Sequence, residues 1–340
     1  MGLKSHSVAA TGAQPAVGTA PVPTEVRQFV RHAVRFVLVG LLLYAGLYAA
    51  AEQLIYQYAR RNRFYMVKTA PYAHYDHVIL GASHAAVFDF EDMNARLEEM
   101  TGSRTLNLSI VGGGITVNRL LLEYFLARHQ TTSVIYVVDS FVFYSREWNE
   151  DRLQDTRLFY RAPLDLSLAR LLLQNPATRS VALDYLVGFS KINNPDRFKP
   201  DIPKEEATRF NKTYRPVKQI DQQRIDYLYH NQIDDPVSRR GHYLAEFEDL
   251  MRYLKSRKLR ALVIKPPIPE RVHRMIPNEG PLDAALKEIL DRQGVEFCDF
   301  SLVSNDEKFF SDTDHLNRTG VLHFFENYLK SKLTIDVRGE

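Results

Sequence analysis

The chain has 340 residues, 45% of them hydrophobic and 25% charged, which is material for one large core or two ordinary ones and excludes a wholly disordered protein. A formal net charge of +3, with no basic stripe interleaved with aromatics, excludes nucleic acid as an expected partner. The single cysteine, Cys298 in VEFCDF, excludes an intrachain disulfide and a cysteine-based zinc site, reads as a small core residue, and leaves the redox compartment open.

Residues 1–25 are rich in Ala, Pro, Gly, Thr and Val without helical or strand period, and a disordered cytoplasmic tail is expected over 1–32. Arg27, Arg31, His32 and Arg35 then precede an uncharged run, FVLVGLLLYAGLYAAA from Phe36 to Ala51. Basic residues ahead of an apolar core orient it with its N-terminus in the cytoplasm. The uncharged run is shorter than the ~20 residues of a usual bilayer span, but Leu54, Ile55 and Tyr56 extend its apolar face. Two readings follow: a transmembrane anchor over 33–57, or a signal peptide cleaved at Ala49-Ala50-Ala51. The anchor is favoured, because the pattern runs on into QLIYQYARRNR without a turn and the preceding tail is long for a signal peptide.

From about residue 72 to 332, short apolar runs alternate with amphipathic helices. The runs are HVILG at 77–81, TLNLS at 105–109, SVIYVVD at 133–139, RALVIK at 260–265 and VEFCDF at 295–300. Helices are expected near 89–100, 116–128, 242–256, 281–292 and 318–331. Strands alternating with helices predict an α/β domain, a flavodoxin-like three-layer parallel five-stranded sheet with right-handed crossovers. Between 141 and 240 the alternation is lost, and helical patterns mix with Pro- and Asn-rich stretches. A structureless loop of that length is rare, so a largely helical insertion leaving the third strand is expected.

Two stretches carry candidate chemistry. The first run ends in GASH, so Ser83 stands beyond the carboxyl end of a strand, where ligands bind in such sheets. It reads either as a nucleophile or as a cap of the next helix. After the fifth run comes FFSDTDHLNRTG at 309–320, holding Asp312, Asp314 and His315, with Asn317 or Thr319 able to cap the last helix. A histidine held by a carboxylate is the base that a serine hydroxyl needs. Side chains three apart can face one another in an extended turn, which makes Asp312 the better partner of His315 and Asp314 the second choice. The same residues would also serve as turn formers in a plain polar loop. With strand order 2-1-3-4-5, strands one and five lie about 14 Å apart, and residues 301–317 are long enough to bridge them.

GASH after the first strand, the glycines of NLSIVGGG after the second and D-T-D-H before the last helix resemble the motif blocks of the SGNH/GDSL hydrolase superfamily. The resemblance covers roughly residues 75–140 and 241–332. It implies an SGNH-type fold with Ser83 as nucleophile, Asp312 and His315 as acid and base, and backbone N–H groups of Ser83 and of Gly112 or Gly113 as oxyanion donors, without metal or cofactor. Two departures stand out: Ala82 replaces the acid of Gly-Asp-Ser, and Asp139 stands at the end of strand three, where an asparagine donor is common.

With its apolar N-terminal helix, GxSH form and DHLN segment, the chain also resembles the membrane-anchored SGNH-like proteins of envelope-polymer acylation, of the alginate O-acetylation and teichoic-acid D-alanylation type. This implies an inner-membrane, single-pass protein with its domain outside the cytoplasm. Its implied partners are an envelope polysaccharide, an acyl donor and a membrane-bound O-acyltransferase. The implied activity is O-acetyl transfer through an acyl-serine, with a carbohydrate esterase or a non-catalytic accessory as alternatives. His84 is expected to point away from the nucleophile, packing or supporting a residue of the site; Lys265-Pro266-Pro267 is expected to end its strand in a plain turn rather than shape the pocket, and Tyr144, Trp148, Phe159 and Tyr160 to form core or stack on sugar rings.

Overall fold

Apolar residues two apart on each strand divide between the two faces of the sheet. A computed structural model of the chain describes residues 23–230 and 236–334. Its strands are β1 (His74–Leu80), β2 (Thr105–Asn107), β3 (Gln130–Val137), β4 (Arg260–Lys265) and β5 (Glu296–Asp299). All pair in parallel in the order β2-β1-β3-β4-β5, with Val78 beside Leu106 and Val134, and Val263 beside Phe297. The α/β class and the strand order are those expected from the alternation.

Val78, Leu80, Val134, Tyr136 and Val263 face one core, covered by the helices Ile115–Leu126, Pro236–Ser256 and Glu279–Gln293. Ile79, Ile135, Val137, Leu262 and Ile264 face the other, against Met93–Thr101 and Arg318–Phe324. Each fully buried side chain of this size contributes about 1.5–3 kcal/mol, so the two-sided burial holds the sheet and the carboxyl ends of its strands in place. Cys298 lies in β5 at the sheet edge and is half-buried rather than a core residue.

The segment after β3 contains short helices, among them Leu166–Gln174, Arg179–Val187 and Lys218–Tyr229. Its Phe141, Phe159, Leu172, Tyr185 and Leu228 join the same core as the sheet, so the expected insertion is helical and shares the domain's interior. The next helix starts at Pro236, earlier than the expected 242.

The chain divides into two compact units at Leu47/Tyr48. The helix Thr24–Tyr58 begins in the first and ends in the second, and its 35 residues make a rod of about 52 Å, more than a bilayer's hydrocarbon thickness. Among the described residues it is the one helix long and apolar enough to cross a membrane. Residues 24–32, expected in the disordered tail, are its first turns, because Arg27, Arg31 and Arg35 are helix formers on a pattern that Pro23 precedes. The rest of the expected tail, 1–22, lies outside the described residues.

Candidate active site

The turn after β1 is shaped by exclusion. Gly81 has φ +147°, and a Cβ there would lie 2.8 Å from both the Ala85 Cβ and the Val137 carbonyl oxygen, so only glycine fits. Its N–H donates to Asn118 Oδ1 (3.0 Å), and Asn118 Nδ2 donates to the carbonyls of Gly113 (3.1 Å) and Gly114 (2.8 Å). One buried side chain thus ties the loop after β1 to the loop after β2. Ala82, not Ser83, holds the cap position of the Ser83–Ala86 helix, and no side chain caps it. The capping role is therefore not what Ser83 does. Ser83 lines a 540 Å³ cavity beyond the strand ends.

The loop after β5 is shaped by charge. An antiparallel bridge between Phe310 and Leu316 closes a tight turn, and Asp312 Oδ1 accepts from the N–H groups of Asp314 (3.1 Å) and His315 (2.9 Å). The same carboxylate faces His315 Nδ1, at 3.0 Å from Oδ1 and 3.1 Å from Oδ2. Asp312 is at once the turn former and the partner of the ring. Asp314 Oδ1 stands 3.3 Å from the same Nδ1, so both carboxylates weighed from the sequence face His315. Asn317, rather than Thr319, caps the last helix by accepting from Gly320 N–H at 2.9 Å.

Burial alone would lower the His315 pKa, but the charges of Asp312 and Asp314 outweigh it and raise it to about 10. Burial would raise Asp314, yet the Arg224 guanidinium and the His315 ring hold it well below the usual carboxylate range. Asp312 is depressed too: the His315 charge outweighs its burial. His315 Nε2 is buried and has no hydrogen-bond partner among the described residues, while the residue itself lines the same cavity as Ser83.

Three features were not read from the sequence. His84 does not simply pack: its Nδ1 meets Asp139 Oδ1, its ring stacks on His315 at 4.6 Å, and its Nε2 stands 3.6 Å from Asp314 Oδ2. Asp139, which stands where an oxyanion donor was sought, is thereby an acceptor for His84. Arg224 comes from the Lys218–Tyr229 helix of the insertion, and its Nε donates to Asp314 Oδ2 at 3.1 Å. Arg271 fastens the same loop, pairing with Asp221 (2.6 Å) and Glu307 (2.8 Å) and donating to the Thr313 carbonyl. Only Arg224's place one residue before the apolar stripe Ile225, Leu228, Tyr229 hinted that it enters the interior.

Of the two candidate glycine donors, Gly113 is engaged, because its N–H donates to the Ile110 carbonyl at 2.7 Å. Gly112, at φ +67°, lines the cavity against the Trp148 ring. Phe141, Trp148, Tyr227 and Leu228 form the apolar wall, whereas Tyr144 and Phe159 are core residues, almost wholly buried. A neighbouring 420 Å³ cavity, which includes Tyr160, shares Val111, Arg152 and Arg157 with the first. Lys265 does end its strand, and it is buried against Glu279 and Asp283.

His84, Asp314 and His315 bring possible metal-ligand atoms within 4.8 Å of one another. The donor set does not fit a cation well: His315 Nδ1 already faces Asp312, and the Arg224 guanidinium sits against Asp314. The group is better described as a hydrogen-bonded proton-holding cluster around a serine-lined cavity.

No protein-family model matches the chain, and no curated protein does. Among solved structures it is similar to a putative acylhydrolase from Bacteroides fragilis, with 8% identity, 77% of this chain and 88% of that chain covered, and a TM-score of 0.36. With so few residues shared, function has to be read from the geometry of the cavity.

Proposed function

We propose that the protein is a membrane-anchored serine acyl-transfer enzyme that acts on a cell-envelope polysaccharide, with Ser83 as nucleophile and His315 as base. The observation that carries this reading is that Ser83 and His315 line one cavity while two carboxylates hold the Nδ1 edge of the His315 ring, leaving Nε2 without a hydrogen-bond partner among the described residues. In the first half-reaction Ser83 Oγ attacks the acyl carbonyl and its proton passes to His315 Nε2. The leaving alkoxide takes that proton, and an acyl-serine remains. An acceptor hydroxyl then attacks the acyl-serine, gives its proton to His315, and the serine recovers it on release. The Ser83 and Gly112 N–H groups are the oxyanion donors in this reading.

Asp312 and Asp314 act in two opposite ways. They stabilise the imidazolium that forms in each transition state, and they keep most of the resting ring protonated, so that at pH 7 about one ring in a thousand is ready as a base. The second cavity, which shares Val111, Arg152 and Arg157 with the serine-lined one, supports transfer over hydrolysis because it offers room for an acceptor chain. The apolar helix, with Arg27, Arg31 and Arg35 ahead of it, supports an anchor with the domain on the extracytoplasmic side, where a membrane-bound O-acyltransferase would be a fitting donor.

A fluorophosphonate probe tests the site. It should label Ser83, and Ser83→Ala and His315→Ala should each suppress labelling while Ser83→Ala leaves unfolding within about 1 kcal/mol of the parent. Labelling that survives Ser83→Ala overturns the assignment, and no labelling of the parent at any pH favours the accessory alternative.

A further inference from the structure

The apolar side chains left bare by the α/β unit are concentrated in one stretch. Beyond Tyr48, the described large apolar residues at least 60% exposed are Leu166 (78%), Leu183 (61%), Phe189 (60%) and Phe198 (61%). On the Leu166–Gln174 helix, Leu166, Arg170 and Leu173 share the outward stripe opposite Leu168 and Leu172, and on Arg179–Val187, Arg179 and Leu183 are outward opposite Ala182 and Tyr185. Across 166–199 the exposed charged residues are Arg170, Arg179 and Lys199, and Lys199 Nζ pairs with the partly exposed Asp196 carboxylate at 2.7 Å; Asp184 is half-buried.

This stretch is clamped to one level of the N-terminal helix. Tyr48 Oη donates to the Tyr185 carbonyl at 3.4 Å, Glu52 accepts from Lys191 Nζ (2.5 Å) and from Leu164 N–H (2.9 Å), and a Cβ on Gly188 would lie 2.5 Å from the Tyr48 ring. Tyr48 and Glu52 stand where the uncharged run Phe36–Ala51 ends. In the anchor reading, on which this inference rests, that is the membrane–water boundary, the usual level of tyrosine and of the first charges.

We infer that the outward face of 166–198 lies in the outer interface of the same membrane, with Leu166, Leu183 and Phe189 among the lipid headgroups and Arg170 and Arg179 toward anionic phospholipid. Leucine and phenylalanine beside arginine, with Asp196 taken up by Lys199, are the composition of interfacial helices, and basic residues are drawn to an anionic surface. Such a contact adds a second point of attachment to the single helix. It also holds the cavity at a set height above the bilayer.

The test uses the full chain with Cys298→Ser and a single new cysteine, Leu183→Cys or Phe189→Cys, carrying the environment-sensitive fluorophore NBD. Leu302→Cys is the control, an exposed apolar position after β5 and outside the stretch 166–198. In phosphatidylcholine–phosphatidylglycerol vesicles, NBD at 183 and 189 should shift to the blue and be quenched by lipids spin-labelled near the headgroup severalfold more than at 302. Solvent-like emission at both positions in a chain that resists carbonate extraction overturns the inference while leaving the anchor intact. Carbonate-extractable chain overturns anchor and inference together. A blue shift without quenching by the spin-labelled lipid means that protein covers the face, a second copy included, and overturns the inference as well.

Discussion

The turn after β1 and the loop after β5 bring their residues to the same cavity by opposite means. At Gly81 itself the contacts are neutral and close: a backbone with no space for a methyl group, and Asn118 bonded to both neighbouring loops. Around His315 the contacts are ionic, with Asp312, Asp314, Arg224 and Arg271 crossing between the loop, the insertion and the segment after β4. In the mechanism proposed above, the nucleophile needs a fixed direction, which packing provides at any pH. A base needs a tuned proton affinity, which only charges provide.

The largest expected effect tests the charged half. With the His315 pKa at about 10, the rate of fluorophosphonate labelling should climb about tenfold per pH unit from neutrality and level off near that value, about a thousandfold in all. Asp312→Asn removes one of the two charges that raise the pKa, so the rising limb should move toward neutral pH. A limb already centred near 6.5, the ordinary histidine value, would break the comparison. The linked stability has a definite sign. A folded pKa above the unfolded 6.5 means a contribution fully present below that pH and lost as pH rises through about 10, which urea midpoints across the alkaline range would register.

The second effect tests the packed half. Gly81→Ala must displace the Val137 carbonyl or the Ala85 methyl, and overpacking at a positive φ should cost about 2–3 kcal/mol of unfolding free energy. Its labelling limb should stay at the parent's pH, since no charge has changed. An unchanged urea midpoint would show that the turn is not held by exclusion.

The smallest effect concerns the cavity wall that belongs to neither half. Trp148 touches Gly112 and faces Phe141 and Tyr227 at 5.4 and 5.7 Å. Trp148→Ala should lower the share of acetyl delivered from a small ester to an oligosaccharide acceptor severalfold, while background hydrolysis changes little. Equal loss of both would place the indole with the reacting serine instead of the acceptor.

What the sequence by itself determined follows from local pattern. Continuous β-branched runs such as SVIYVVD fill a two-faced strand, their alternation with helices imposes parallel crossovers, and Asp312 three residues before His315 closes its own turn onto the ring. The uncharged run after three arginines marked the apolar helix in the same way, although its first turns reach back to Thr24, where Val26, Phe29, Val30, Ala33 and Val34 already hold helical spacing among the charges.

Tertiary structure alone decided the rest, because the deciding contacts join residues far apart in the chain. His84 meets Asp139 across 55 positions and Arg224 meets Asp314 across 90, and no spacing rule links such pairs until β1, β3 and the insertion are packed. The choice between Gly112 and Gly113 likewise depended on which N–H the loop itself consumed. Tyr144 and Phe159 went to the core and Trp148 to the cavity for the same reason: aromatic identity sets what a residue can cover, and only the assembled layers set which face it meets.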